Sequence, residues 1–247
     1  MDFEKCRQAF EKYVSSYDLK DEKILLKYHH SYTVSELMAD LAFRLELPKE
    51  KIILAKIIGL LHDIGRFEQW KKYHSFSDDN VDHADESCNY LFIDGHIRDF
   101  LEETTYDSII EKAIRNHNKL EVPAMKEEEL FFTKMIRDMD KVDIYKQCAI
   151  HYDYTFNADE VSEKVLEYFK NEKSIPKAEK KSKSDAILVM LAFVYDINFN
   201  ESFDILVETD NFDLFLSTVE IDEKSEKLWR KIREVCFDKI NRGINKD

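Results

Sequence analysis

The sequence predicts an all-α protein, and three observations carry that prediction. Glycine and proline are scarce: four of one and three of the other stand among 247 residues, under 3% of the chain, where average usage gives about 12%. Val34, Leu37, Met38, Leu41, Ala42 and Leu45 recur at alternating steps of three and one, the stripe of an amphipathic helix. Residues 52–61 form an apolar run of helical length. Sheets need turn residues at each hairpin and phosphate-binding loops need glycine outright. The shortage therefore counts against an all-β fold, a dinucleotide fold of the GxGxxG type and a Walker-A site.

Each element follows from local pattern. The stripe from Val34 stops near Leu47-Pro48, because a residue before proline is driven out of the helical region. The run at 52–61 reads as a core helix that meets His62, Asp63 and then Gly65, which is expected to stop it. Residues 66–82 show no clean period and read as a loop leading into a helix at about 83–92. Further helices are predicted at about 106–117, 127–150, 158–171, 184–198, 201–218 and 222–241. The lysine-rich stretch KSIPKAEKKSK at 173–183 reads as a solvated, mobile loop.

The charge balance narrows the function classes. Fifty-one acidic residues against 37 basic ones give a formal net charge of −14. Nucleic acids and anionic membranes are therefore not expected as partners, since their binders carry a basic excess. Cys6, Cys88, Cys148 and Cys236 are scattered, with no CxxC pair, which fits a reduced, cytoplasmic setting without a disulfide framework. Met1 leads directly into charged sequence, and no stretch of about eighteen apolar residues occurs, so neither a signal peptide nor a membrane span is expected.

Metal-competent side chains fall where apolar ones belong. His30 lies four residues before Val34, on the face of the apolar stripe, and this offset favours it over His29 as the inward residue. His62 and Asp63 directly follow an apolar helix. Asp140 continues the series Phe132, Ile136 at spacing four, which puts a carboxylate on a buried face. An uncompensated buried carboxylate costs several kcal/mol or becomes protonated. One divalent cation bound by two imidazoles and two carboxylates satisfies all four groups together. His74, His96 and His151 lack such settings and are not expected as ligands.

With these residues in place the chain resembles the HD-domain superfamily of metal-dependent phosphohydrolases. The likeness rests on the order His30, His62-Asp63, Asp140 and on three segments, HSYTVSEL (30–37), LLHDIGR (60–66) and RDMDKVD (137–143). It covers about residues 25–150 and implies a helical core with a metal site between helices. The expected organisation is thus an HD catalytic core at 1–150 and a C-terminal helical extension packed on it at 151–247. In binuclear members an additional histidine occurs at each of two places, which implies His83 and His117 as second-metal ligands, with Asp63 bridging. Where the HD-GYP branch has a histidine pair, this chain has His117-Asn118, a departure that speaks against cyclic-dinucleotide cleavage.

The resemblance implies one or two divalent ions (Mn, Fe, Mg, Ni, Co or Zn) and a small phosphorylated substrate, with a nucleotide as the leading class. A metal-activated hydroxide would centre on Asp63, and Arg66, three residues on, would clamp a phosphate oxygen. Lys119, Lys141 and Asp143 are weaker candidates. Two other readings stay open at this stage: an HD-fold di-iron oxygenase with the same six ligands, and a nucleotide-binding module without turnover.

Overall fold

The computed structural model describes residues 1–78, 81–151 and 154–245. It is an all-α protein, and its contacts fall into two compact units, Met1–Asp140 and Lys141–Asp247. Among the described residues no helix is long and apolar enough to cross a membrane.

The first unit opens with α1 (Phe3–Val14) and α2 (Glu22–Arg44), each started by an aspartate, Asp2 or Asp21, whose carboxylate accepts from two free backbone N–H groups of the first turn. Helix α3 (Lys49–Leu61) lies hard against α2. At Gly59 an added Cβ would stand 2.7 Å from Ser35 Cα, so only glycine allows this approach, and Ser35 Oγ secures it by donating to Lys56 O at 2.7 Å. The close packing of these two helices brings the His30 and His62 rings to 5.1 Å between centroids.

After the histidine–aspartate pair the chain does not enter a loop, as its irregular composition predicts, but forms α4 (Gly65–Tyr73). Gly65, Phe67 and Gln69 are its buried residues, and His74 ends it in the left-handed conformation. Aromatic and polar side chains on one short helix conceal the period. Helix α5 (His83–Cys88) follows, capped by Asp82, and a single π-helical turn over Asn89–Ile93 continues it. Then come α6 (Ile97–Phe100), α7 (Asp107–Asn116) and α8 (Glu127–His151). The three glutamates that begin α8 complement the positive end of its dipole.

In the second unit, α9 (Glu163–Lys170), α10 (Lys183–Leu191), α11 (Asn200–Glu208), α12 (Asn211–Ser217) and α13 (Glu226–Ile244) accompany a small parallel sheet. Its strands β1 (Tyr154–Phe156) and β2 (Val219–Ile221) pair Tyr154 with Val219 and Phe156 with Ile221. The helix predicted over 201–218 is two helices, because Asp210 adopts a positive φ of 54° between them. Fully buried Tyr145 meets Phe212 and Phe215 and donates from its hydroxyl to Met190 O at 3.1 Å. Within 173–183 the chain makes one 3-10 turn, Lys177–Glu179, and buries Ile175.

Candidate metal centre

Helix ends place two of the histidines. His62 follows the last turn of α3 and His117 the last turn of α7, where carbonyl groups have no partner within the helix. Each ring uses one: His62 Nδ1 donates to Gly59 O at 2.8 Å, and His117 Nδ1 donates to Ile114 O at 2.6 Å. A carbonyl can only accept, so Nδ1 carries the proton in both rings. In the neutral ring Nε2 is then a bare lone pair. Burial, the largest influence on His62, pushes its pKa down and keeps it neutral.

The Nε2 atoms of four histidines converge on two carboxylates. His30 Nε2 lies 3.1 Å from Asp140 Oδ1 and 3.5 Å from Asp63 Oδ2. His62 Nε2 is 3.6 Å from Asp140 Oδ1 and 3.7 Å from Asp63 Oδ2. On the other side of the same aspartate, Asp63 Oδ1 is 3.4 Å from His83 Nε2 and 3.7 Å from His117 Nε2. His83 and His117 face each other through Nε2 at 3.0 Å. All six groups predicted as ligands therefore meet, five of them buried and Asp140 half-buried, and Asp63 lies between two sets of donors.

The donor set fits metal ions. Donors about 2.1 Å from an ion stand about 3.0 Å apart in an octahedron and about 3.4 Å in a tetrahedron, close to the spacings found. His62 Nε2 and Asp63 Oδ1 are buried without a hydrogen-bond partner, as expected of atoms whose partner is a cation. Two overlapping sets, His30–His62–Asp140 and His62–Asp63–His117, have the proximity that holding an ion requires.

Neighbouring charges set the protonation. Burial alone would raise the Asp63 carboxyl, but Lys27, His62, His117 and His83 outweigh it and hold Asp63 well below the usual carboxylate range. Asp140 is likewise held low against burial by His30 and His62. His83 is lowered to about 3, first by burial and then by the Arg66 charge.

Arg66 reaches this cluster from the first turn of α4. Its Nη1 donates to Gln69 Oε1 and Phe76 O, both at 2.7 Å, and to Asp78 Oδ1 at 3.2 Å. Its Nε is buried, has no hydrogen-bond partner and stands 3.8 Å from Asp63 Oδ1. Lys27, which the sequence reading passes over, donates from Nζ to Asp63 Oδ2 at 2.7 Å. Its signal is spacing: it precedes His30 by three residues and so shares its face. The weaker candidates are engaged elsewhere, Lys119 with Asp82 and Asp85, Lys141 with Asp196, and Asp143 with Gln147. His29 and His74 are exposed, and His96 bonds Asp99 and stacks on Tyr90.

Fold and site together define a helical protein with a histidine–aspartate centre suited to divalent metals. Residues 28–192 match the family described as HD domain, and the chain belongs to that family. The match extends beyond residue 150, the limit of the likeness visible in the motifs, as far as the end of α10. No curated protein matches the chain significantly, and neither does any solved structure.

Proposed function

We propose that this HD-domain protein is a metal-dependent phosphohydrolase that cleaves a phosphate ester or phosphoanhydride of a small molecule, with a nucleotide as the leading substrate class. The single observation that carries this reading is the convergence of the Nε2 atoms of four imidazoles on Asp63 and Asp140. His30, His62, Asp63 and Asp140 would hold one ion, and Asp63, His83 and His117 a second. When bound, such ions supply a water of lowered pKa and neutralise phosphoryl charge.

The chain's own residues do the remaining work. Asp63 presents one oxygen to each donor set and so fixes their separation. Arg66 Nε is a buried donor without a hydrogen-bond partner, 3.8 Å from Asp63 Oδ1, and a phosphoryl oxygen would satisfy it. Lys27 adds a second positive charge beside the same carboxylate. The nucleotide preference rests on the family likeness, and the single His117 followed by Asn118 argues against a cyclic dinucleotide. All six ligands lie between residues 30 and 140, so the catalytic role is assigned to the predicted core, 1–150, with 151–247 as its helical extension.

The test is elemental analysis of the purified protein, followed by a phosphate-release screen over nucleotides and phosphomonoesters with Mn²⁺, Mg²⁺ and Fe²⁺. Release that disappears in Asp63→Ala supports the reading. Bound iron with oxygen uptake and no phosphate release overturns it, as does tight nucleotide binding without turnover.

A further inference from the structure

His83 lacks the support that the helix ends give to His62 and His117. His62 and His117 close helices and find a carbonyl three residues back, whereas His83 opens α5 and has no such carbonyl. Its Nδ1 is met instead by Asp78 Oδ1 at 2.7 Å. Asp78 lies in the segment between α4 and α5, and its side chain is 19% exposed.

That segment is fastened from α4 by two residues three apart. Arg66 Nη1 donates to Phe76 O and to Asp78 Oδ1, while Gln69, 2% exposed, donates from Nε2 to Ser77 O and Val81 O, both at 3.1 Å. The Phe76 ring also lies against two cations, Lys27 Nζ at 5.5 Å and Arg66 at 5.6 Å from its centroid. Asp78 is therefore held in place by contacts on both sides of it in the chain.

We propose that Asp78 is a positioning residue for the second ion: it fixes the proton of His83 on Nδ1 and thereby turns Nε2 towards His117 and Asp63. The same carboxylate oxygen is bound by Arg66, whose Nε faces Asp63. One guanidinium thus links the orientation of a metal ligand to the donor that the proposed reaction offers to phosphate. The inference rests on the binuclear reading above. Oriented carboxylates behind ligand histidines are worth about 10–100-fold in metal affinity or activity.

The test uses the full chain, stripped with chelator, redialysed against Mn²⁺ and measured by elemental analysis and electron paramagnetic resonance. At a Mn²⁺ concentration that fills the wild type with two coupled ions, Asp78→Ala is expected to retain one ion with a mononuclear signal and unchanged helical circular dichroism. Asp78→Asn, which keeps an acceptor oxygen, is expected to recover the second ion with affinity weakened by about 10-fold, and it carries the test if the alanine variant does not fold. Two coupled ions of wild-type affinity in both variants overturn the inference while leaving the binuclear reading intact. Fewer than two ions in the wild type overturns that reading, and this inference with it.

Discussion

His83 and His117 hold their Nε2 atoms 3.0 Å apart while each Nδ1 faces an oxygen acceptor, Asp78 Oδ1 for one ring and Ile114 O for the other. With both Nδ1 atoms protonated, two lone pairs oppose each other beside the Asp63 carboxylate, a repulsive arrangement that a cation converts into an attractive one. Metal should therefore stabilise the fold strongly. At a Mn²⁺ concentration of about one hundred times Kd the gain is about 2.7 kcal/mol, or roughly 5–10 °C in Tm for a chain of this size. A thermal melt with Mn²⁺ and with chelator checks this, and Asp63→Ala, which removes the carboxylate facing both donor sets, should abolish the difference. Equal melting temperatures in the two conditions would count against a resident metal.

The metal-free protein should lose stability on mild acidification. Burial and then Arg66 lower the folded pKa of His83 to about 3, from 6.5 in an unfolded chain, and His62 is shifted in the same direction. Between these values the unfolded chain takes up protons that the folded chain refuses, so stability falls as pH drops from 6.5 towards 3. Asp63 and Asp140 add to the loss from about pH 3.8 downward, because their folded values lie below that ordinary value and the unfolded carboxylates take up protons first. Urea midpoints of chelator-treated protein at about pH 7.5, 6 and 5 should decrease in that order, and His83→Ala should flatten the trend.

Much of the centre was legible because its residues break an apolar pattern. His30 falls on the stripe of α2, and His62-Asp63 follows seven buried positions of α3, so the polar groups declare themselves by their company. Lys27 sits among residues that otherwise read as a solvated helix start, and only its offset from His30 gives it away. Asp78 belongs to the run SFSDDNVD, where one acid resembles the next and its link to His83 depends on a loop path that no local period encodes. Helix α1, which the sequence reading passes over, has Cys6, Phe10 and Val14 buried at spacing four, a signal that could have found it. Helix α4 has no such stripe, since Gly65 and Gln69 are buried there for close approach and hydrogen bonding rather than for apolarity.

Gly65 has a job that its position in the sequence disguises. It is not a left-handed stop but the first residue of α4, and an added Cβ would stand 2.6 Å from Ser87 N and 2.9 Å from His83 O. Its own N–H donates to Ser87 Oγ at 2.9 Å. Gly65→Ala should push α5 away, costing about 1–3 kcal/mol as overpacking does, and carry His83 from its place. Urea denaturation and Mn²⁺ stoichiometry should therefore both change. Gly95→Ala is the control: its φ of 83° makes the change strained, yet nothing lies within 4 Å of the new Cβ. It should cost stability, about 1–2 kcal/mol, and leave metal binding intact. Full metal occupancy in Gly65→Ala would show that α5 tolerates the displacement.

The turn that carries His117 is fixed from α8 by Arg137. This arginine is 3% exposed, and its Nη1 donates to Asn116 O at 3.1 Å, His117 O at 3.2 Å and Lys119 O. These carbonyls lie at and just beyond the end of α7, where no intrahelical donor reaches them. Asp140 is one turn along α8 from Arg137, so the helix that brings Asp140 to the first donor set also braces the backbone of His117 in the second. Arg137→Met keeps most of the side-chain volume and removes the donors. It should cost about 1–3 kcal/mol through unsatisfied carbonyls and weaken the second ion by about 10-fold or more, with the first ion retained. Arg137→Lys, with one ammonium for the same carbonyls, should fall between the two. Calorimetric Mn²⁺ titration of stripped protein separates the two sites, and two undisturbed binding steps in Arg137→Met would show that α7 holds His117 without help from α8.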